Sequence, residues 1–130
     1  MKRMLRAYIA GPFSADTGWQ VECNVRTAEL VALEAWRAGF AAFCPHTNTR
    51  FFEGAEPYGL WLAGDIAWLE VSDLVITAGD WTKSKGAKKE VALAAAWKKP
   101  VFHTVEAAAL WAGGEKPAPE PTKADWKEQE

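Results

Sequence analysis

The chain has 130 residues, 49% of them hydrophobic, which is enough for one compact domain with a real core and gives no sign of a second. Its formal net charge of -2 and isoelectric point near 5.7 exclude the global basic field that drives nucleic-acid binding, so any anion site must be local. Cys23 and Cys44 stand 21 positions apart with no CxxC and no second ligand pair nearby, which argues against a disulfide framework and against zinc; no metal is expected, and a reducing compartment suits both thiols.

In MKRMLRAYIAGPF the apolar part breaks at Gly11-Pro12, too short for a secretion signal or a membrane span, so the expectation is a cytoplasmic protein with no membrane partner. LRAYIAG reads as a first strand that stops at Gly11, Pro12 and Phe13, where a ligand loop begins. Glu22 to Ala38 carries Val25, Ala28, Val31, Ala35 and Trp36 at three and four spacing and reads as a helix, with Gly39 closing it at C′. FAAFCP is a second strand, and His46 to Glu56 an irregular loop after it. Gly59 to Val71 places Leu62, Ile66 and Leu69 on one helical stripe with Trp61 and Trp68 on the next, as packing residues.

DLVITAG is an unbroken apolar run, the pattern of a strand buried on both faces of a parallel sheet. Ala87 to Trp97 is the next helix, KPVFH the fourth strand and VEAAALWAG a last short helix. The Pro, Glu and Lys-rich end, EKPAPEPTKADWKEQE, is expected to be disordered, leaving a folded domain over 1–114 and a tail over 115–130. Strands alternating with helices imply an α/β fold, a single-domain Rossmann-like or flavodoxin-like three-layer sandwich on a parallel sheet of four or five strands. Ligands of such sheets bind at the carboxyl ends of the strands.

One of those ends is the stretch WTKSKGAKKE, residues 81–90. A helix starting near Ser84-Lys85-Gly86 presents free amides and the positive end of its dipole, and Lys83, Lys85, Lys88 and Lys89 add local charge. Gly86 lets backbone approach a ligand, and Ser84 offers its hydroxyl to a phosphate or to the helix as an N-cap. Neither GxxxxGK[ST] nor GxGxxG occurs, so nucleoside triphosphates and dinucleotides are poorly supported. Glu90 lies one turn, about 5.4 Å, into that helix, where a carboxylate can meet the anomeric carbon of a nucleotide whose phosphate sits on the helix tip. From these residues alone the plainer reading also stands: a capped helix start, a surface glutamate and a solvated lysine face.

YIAGPF, GDIAWLEVSDLVI and SKGAKKEVALA, in that order, resemble the nucleoside 2-deoxyribosyltransferase superfamily, which includes the 2′-deoxynucleoside 5′-monophosphate N-hydrolases and a phage-borne branch. The resemblance runs from about Tyr8 to Phe102. It implies that Glu90, in S-x-G-x-x-x-E, is the nucleophile at C1′, that Asp65, in D-x-x-W-L, assists at the leaving base or orients the sugar, and that Tyr8 contacts the nucleophile. It further implies that Ser84, among lysines, binds a 5′-phosphate, so that the substrate is a nucleotide, with no cofactor required.

The family's glycine- and arginine-rich turn after the first strand is replaced here by SADTGWQVECNVR, with Asn24 and Arg26 as possible substitutes for its phosphate contacts. His46, Asp80, Trp81 and Phe13 complete the expected substrate-binding set, as pocket wall, sugar ligand and base-stacking rings. Asp73 is expected to cap its strand. The partner is then a small deoxynucleotide or deoxynucleoside, not nucleic acid, and the family's habit implies a homodimer or higher homo-oligomer. Two other classes stay open on the same fold: a non-catalytic nucleotide-binding or phage-defence interaction protein, and a glycohydrolase of NAD-like dinucleotides.

Overall fold

The structure, a computed structural model, describes residues 3–113; the stretch expected to be a disordered tail lies outside the described residues. The elements follow in the order β1 (Arg6–Ala10), α1 (Gly18–Arg37), β2 (Ala41–Phe43), α2 (Pro45–Asn48), α3 (Tyr58–Glu70), β3 (Leu74–Thr77), a 3₁₀ turn (Trp81–Lys83), α4 (Lys85–Ala96), β4 (Val101–Phe102) and α5 (Val105–Trp111). The four strands form one parallel sheet in the order β2-β1-β3-β4. β1 is central, with Tyr8 opposite Phe43 on one side and Val75 on the other. The α/β expectation is met, with four strands rather than five among the described residues.

Side chains alternate across the sheet and so feed two cores. Ala7 and Ile9 of β1 and Leu74 and Ile76 of β3 pack with Ala28, Ala32 and Ala35 of α1, Phe40, and Val105 and Ala108 of α5. Tyr8, Ala10 and Val75 face the other way, against Leu69 of α3 and Ala94 of α4. Burying β1 and β3 on both faces explains their continuous apolar runs. Because Tyr8 is at an even position of β1, its ring goes to the α3/α4 side, the layer that also carries Asp65 and Glu90.

The ends of the elements are set by local chemistry. α1 starts at Gly18, four residues before the expected Glu22, because Thr17 caps it by accepting the Gln20 amide at 3.1 Å. It ends as expected at Gly39, whose φ of 98° and amide bond to the Trp36 carbonyl, with Phe40 N–H on Ala35 O, form a Schellman turn. Asp73, just before β3, caps not its own strand but the neighbouring β1: it accepts the Arg6 amide at 2.7 Å and the Arg3 guanidinium at 2.8 and 3.0 Å. The expected loop over residues 46–56 opens instead with the single turn α2, started by Pro45 at its first position, and only then turns irregular, with Phe51 at φ 68° and Gly54 at φ 85°.

Candidate active site

At the carboxyl ends of β1 and β3 the chain is drawn tight. The Ala78 amide bonds Ala10 O at 2.8 Å, and a Cβ on Gly11 would stand 2.8 Å from the Ala78 carbonyl oxygen, so only glycine fits at the exit of β1. Beyond this pinch opens a cavity of about 460 Å³, in the size range of small-ligand sites. Gly11, Phe13 and Ser14 form one wall, Pro45, His46, Thr49 and Glu53 a second, Tyr58, Trp61, Leu62 and Asp65 of α3 a third, and Lys83 to Ala87 with Glu90 of α4 the fourth.

α4 starts as its sequence predicts. Ser84 is the N-cap, its hydroxyl oxygen accepting the Ala87 amide at 3.2 Å and its carbonyl accepting Lys88 N–H at 2.9 Å. That leaves the Lys85 and Gly86 amides without helical partners, and it leaves the Ser84 hydroxyl proton free to donate. Lys83 and Lys85 flank this tip on the cavity wall, whereas Lys88 and Lys89 are exposed outside it. Gly86 is not forced by packing: an added Cβ would meet nothing closer than the Tyr58 hydroxyl at 3.9 Å, so the open space belongs to the cavity.

One turn further, Glu90 lines the cavity yet is only 9% exposed. Burial, then the nearby charge of Asp65, raise its pKa from 4.5 to about 8, and the Tyr8 hydroxyl opposes them. Asp65 lines the same cavity half-buried, and burial raises its carboxyl from 3.8 to about 6. Tyr8 lies beneath the floor rather than on it, fully buried. Its hydroxyl has no hydrogen bond of normal length, and burial with the negative fields of Glu90 and Asp65 keeps it protonated far above its ordinary range. Two carboxyls with raised and separated pKa values beside a buried phenol form an acid and base pair of the kind glycosidic chemistry uses. The cavity is polarised, with lysines and a helix tip at one end and carboxyls at the other.

His46, 6% exposed, donates Nε2–H to the Pro12 carbonyl at 2.7 Å, which places Pro12 behind the wall as a positioning group rather than on the surface. Burial lowers the His46 pKa and so favours the neutral ring. Phe13 meets that ring edge-on at 5.7 Å. Asp80 and Trp81, expected in the site, are not on the cavity wall. Asp80 accepts the Thr82 hydroxyl at 2.7 Å and pairs with Lys83 at 3.3 Å, while Trp81 stacks on His103 with ring centroids 5.4 Å apart. Trp81 thus lies over the ends of β3 and β4, through His103 and its bond to Thr77, outside the cavity wall.

Asn24 and Arg26 are engaged elsewhere too, Asn24 on the Phe13 carbonyl at 3.0 Å and Arg26 on Glu29 at 2.7 Å and Glu22 at 3.8 Å. In their place the wall holds Tyr58 and Glu53, which sequence reasoning passed over, and Trp61, which it read as a packing residue. Trp61 had a usable signal: it precedes Asp65 by four residues and therefore shares its helix face. Among the described residues no group of three or more His, Cys, Asp or Glu is placed to hold a metal ion.

No protein-family model matches the chain, and no curated protein matches it. Solved structures do, among them the following two. A 2-deoxyribosyltransferase from the psychrotolerant bacterium Bacillus psychrosaccharolyticus superposes with a TM-score of 0.54 at 20% identity, covering 74% of this chain and 69% of that one. A conserved protein from Enterococcus faecalis V583 superposes with a TM-score of 0.61 at 18% identity, covering 76% of this chain; the present chain spans 62% of its length. The likeness establishes a shared fold.

Proposed function

We propose that the protein cleaves the N-glycosidic bond of 2′-deoxynucleoside 5′-monophosphates, passing the sugar to water or to a second base. One observation carries this reading: a buried Glu90 lies one turn inside a helix whose lysine-flanked N-terminus opens on the same cavity as Asp65. The phosphate occupies the tip, on the Lys85 and Gly86 amides and the Ser84 hydroxyl, which brings C1′ to Glu90.

The ionised Glu90 carboxylate attacks C1′ through an oxocarbenium-like transition state. A C–O bond forms, and the C1′–N bond breaks with its electron pair leaving on the base. Asp65 gives the base its proton. Water then attacks C1′, Asp65 takes the proton back and Glu90 is released; a second base in place of water gives transfer. A 2-deoxyribose suits this route because no 2′-hydroxyl destabilises the developing cation. The fold shared with a 2-deoxyribosyltransferase is consistent with such chemistry.

Incubating the protein with each deoxynucleoside monophosphate and chromatographing for free base tests the activity. Glu90→Gln should release none, and mass spectrometry of briefly treated wild type should find the sugar phosphate attached to the peptide carrying Glu90. Base release at the wild-type rate by Glu90→Gln would refute the assignment. The same reading includes self-association through α3. No helix among the described residues is long and apolar enough to cross a membrane.

A further inference from the structure

A nucleotide site needs more than a helix tip, and Arg26, the arginine that the sequence offered for the phosphate, is paired with Glu22 and Glu29, as is Arg50. The group that does stand over the tip is Tyr58. It is the first residue of α3, set by Pro57 at the N-cap with φ -58° and ψ 142°, and its side chain crosses the cavity mouth to α4. Its hydroxyl is 3.9 Å from the point where a Cβ on Gly86 would be. A tetrahedral anion is about this deep: one oxygen can accept a free amide of the α4 tip while its neighbour accepts the phenol O–H at ordinary bond lengths. Pro57 gives α3 no side-chain cap, so the positive end of a second helix also opens beside this mouth. In the same cavity the buried Glu90 and the unpartnered Nδ1 of the buried His46 mark where the rest of the ligand must reach.

We infer that Tyr58 is a phosphate ligand of the site, donating its phenol hydrogen to the substrate's 5′-phosphate opposite the α4 amides and so selecting nucleotides over nucleosides. The inference rests on the function proposed above for the identity of the substrate, though anion binding by Tyr58 does not depend on turnover. A phenol supplies direction without charge. It therefore complements Lys85, whose flexible ammonium group supplies field without geometry, Lys83 being paired with Asp80.

Inorganic phosphate is the probe for the first experiment, titrated into ¹⁵N-labelled wild type and Tyr58→Phe while the Lys85 and Gly86 amide resonances are followed. Tyr58 is 62% exposed, so the variant should keep the wild-type fold, which the rest of the spectrum reports. The expected result is saturable shifts at both amides in wild type and a dissociation constant about tenfold higher in Tyr58→Phe, the effect of one hydrogen bond to a charged group. In turnover assays the variant should raise KM for the deoxynucleoside monophosphate about tenfold with a smaller change in kcat. The ratio of kcat/KM for nucleotide over nucleoside should fall by a similar factor.

Phosphate binding within twofold of wild type in Tyr58→Phe, or no shift at Lys85 and Gly86 in wild type, overturns the inference. Absence of base release from every deoxynucleotide, with phosphate binding still weakened in the variant, would overturn the proposed reaction and leave Tyr58 as an anion ligand.

Discussion

Glu90 and Asp65 sit in the same cavity with carboxyls raised to about 8 and about 6, so the pair holds two protons below pH 6, one between 6 and 8 and none above. Between these values the single proton rests mainly on Glu90, whereas the mechanism needs it on Asp65 with Glu90 ionised. The reactive form is therefore the minor arrangement of the singly protonated pair, and its population still peaks between the two values. The kcat/KM profile should therefore be bell-shaped, with limbs near these two values. Phosphate monoesters also titrate near about 6, so the acidic limb is to be read against Asp65→Asn. In that variant the negative neighbour of Glu90 is gone, its pKa falls while burial keeps it above 4.5, and the residual activity should lose its alkaline limb. A sharp alkaline limb persisting in Asp65→Asn would assign it to another group.

The same shift has a sign for stability. Glu90 has a folded pKa above its unfolded value, so its full contribution is present below about 4.5 and is lost as pH rises towards about 8, where the unfolded chain is ionised and the native site resists. Glu90→Gln should therefore raise thermal stability at pH 8, by on the order of 3 kcal/mol, and change little at pH 4. Calorimetry at the two pH values measures it, and an equal effect at both would deny that burial strains the carboxylate.

At this scale the sequence was informative where a charged residue interrupts an apolar helix, as Asp65 and Glu90 do, because helical periodicity fixes which way a side chain faces. Asp80 and Trp81 follow a strand end and enter a 3₁₀ turn, where no period sets direction, and they point elsewhere.

At the scale of elements, apolar patterning located every strand and the three longer helices, while capping and turn chemistry set boundaries that the pattern missed. Thr17 and Gln20 match the spacing of a capping box, yet Gly18 and Trp19 are poor helix formers and hid the first turn of α1. α2 is one turn long, too short for any periodic signal, and Pro45 is its only mark. The closest coupling between element geometry and the site is at Gly11, where β1 must leave the sheet against the Ala78 carbonyl. Gly11→Ala should cost about 2 kcal/mol, because the clash is with backbone that the β1–β3 ladder holds fixed. Denaturant unfolding gives the number, and a loss under about 0.5 kcal/mol would mean that the pinch relaxes freely.

At the scale of the whole molecule, α3 leaves the largest uncharged apolar stripe among the described residues open. Its sequence YGLWLAGDIAWLE has Asp65 and Glu70 as its only charges and is otherwise apolar round the helix, and largely apolar helices are normally covered. Its inner face is used by Leu69 in the core and by Trp61 and Asp65 at the cavity, but Leu60, Trp68 and Val71 remain 55%, 51% and 50% exposed, with Ala63, Gly64 and Ala67 exposed between them. This stripe carries no charge, and it is self-complementary. Leu60 and Trp68 lie four residues either side of Gly64, so a second copy crossing antiparallel at Gly64 sets each large side chain against its counterpart across a glycine gap.

The outer face of α1 is a poorer candidate, since Arg26, Glu29, Glu34 and Arg37 are interspersed with its exposed Leu30, Leu33 and Trp36. We therefore expect a homodimer joined along α3, which would also stiffen the helix that holds Asp65. Gly64→Lys is the discriminating variant: a Cβ there meets nothing within 4 Å in one chain, so the monomer should fold at least as stably, while the dimer axis acquires two facing charges. Sedimentation at tens of micromolar should show a dimer for wild type and for Leu33→Glu, and a folded monomer for Gly64→Lys. A wild-type monomer, or a dimer broken by Leu33→Glu and untouched by Gly64→Lys, would remove α3 as the interface.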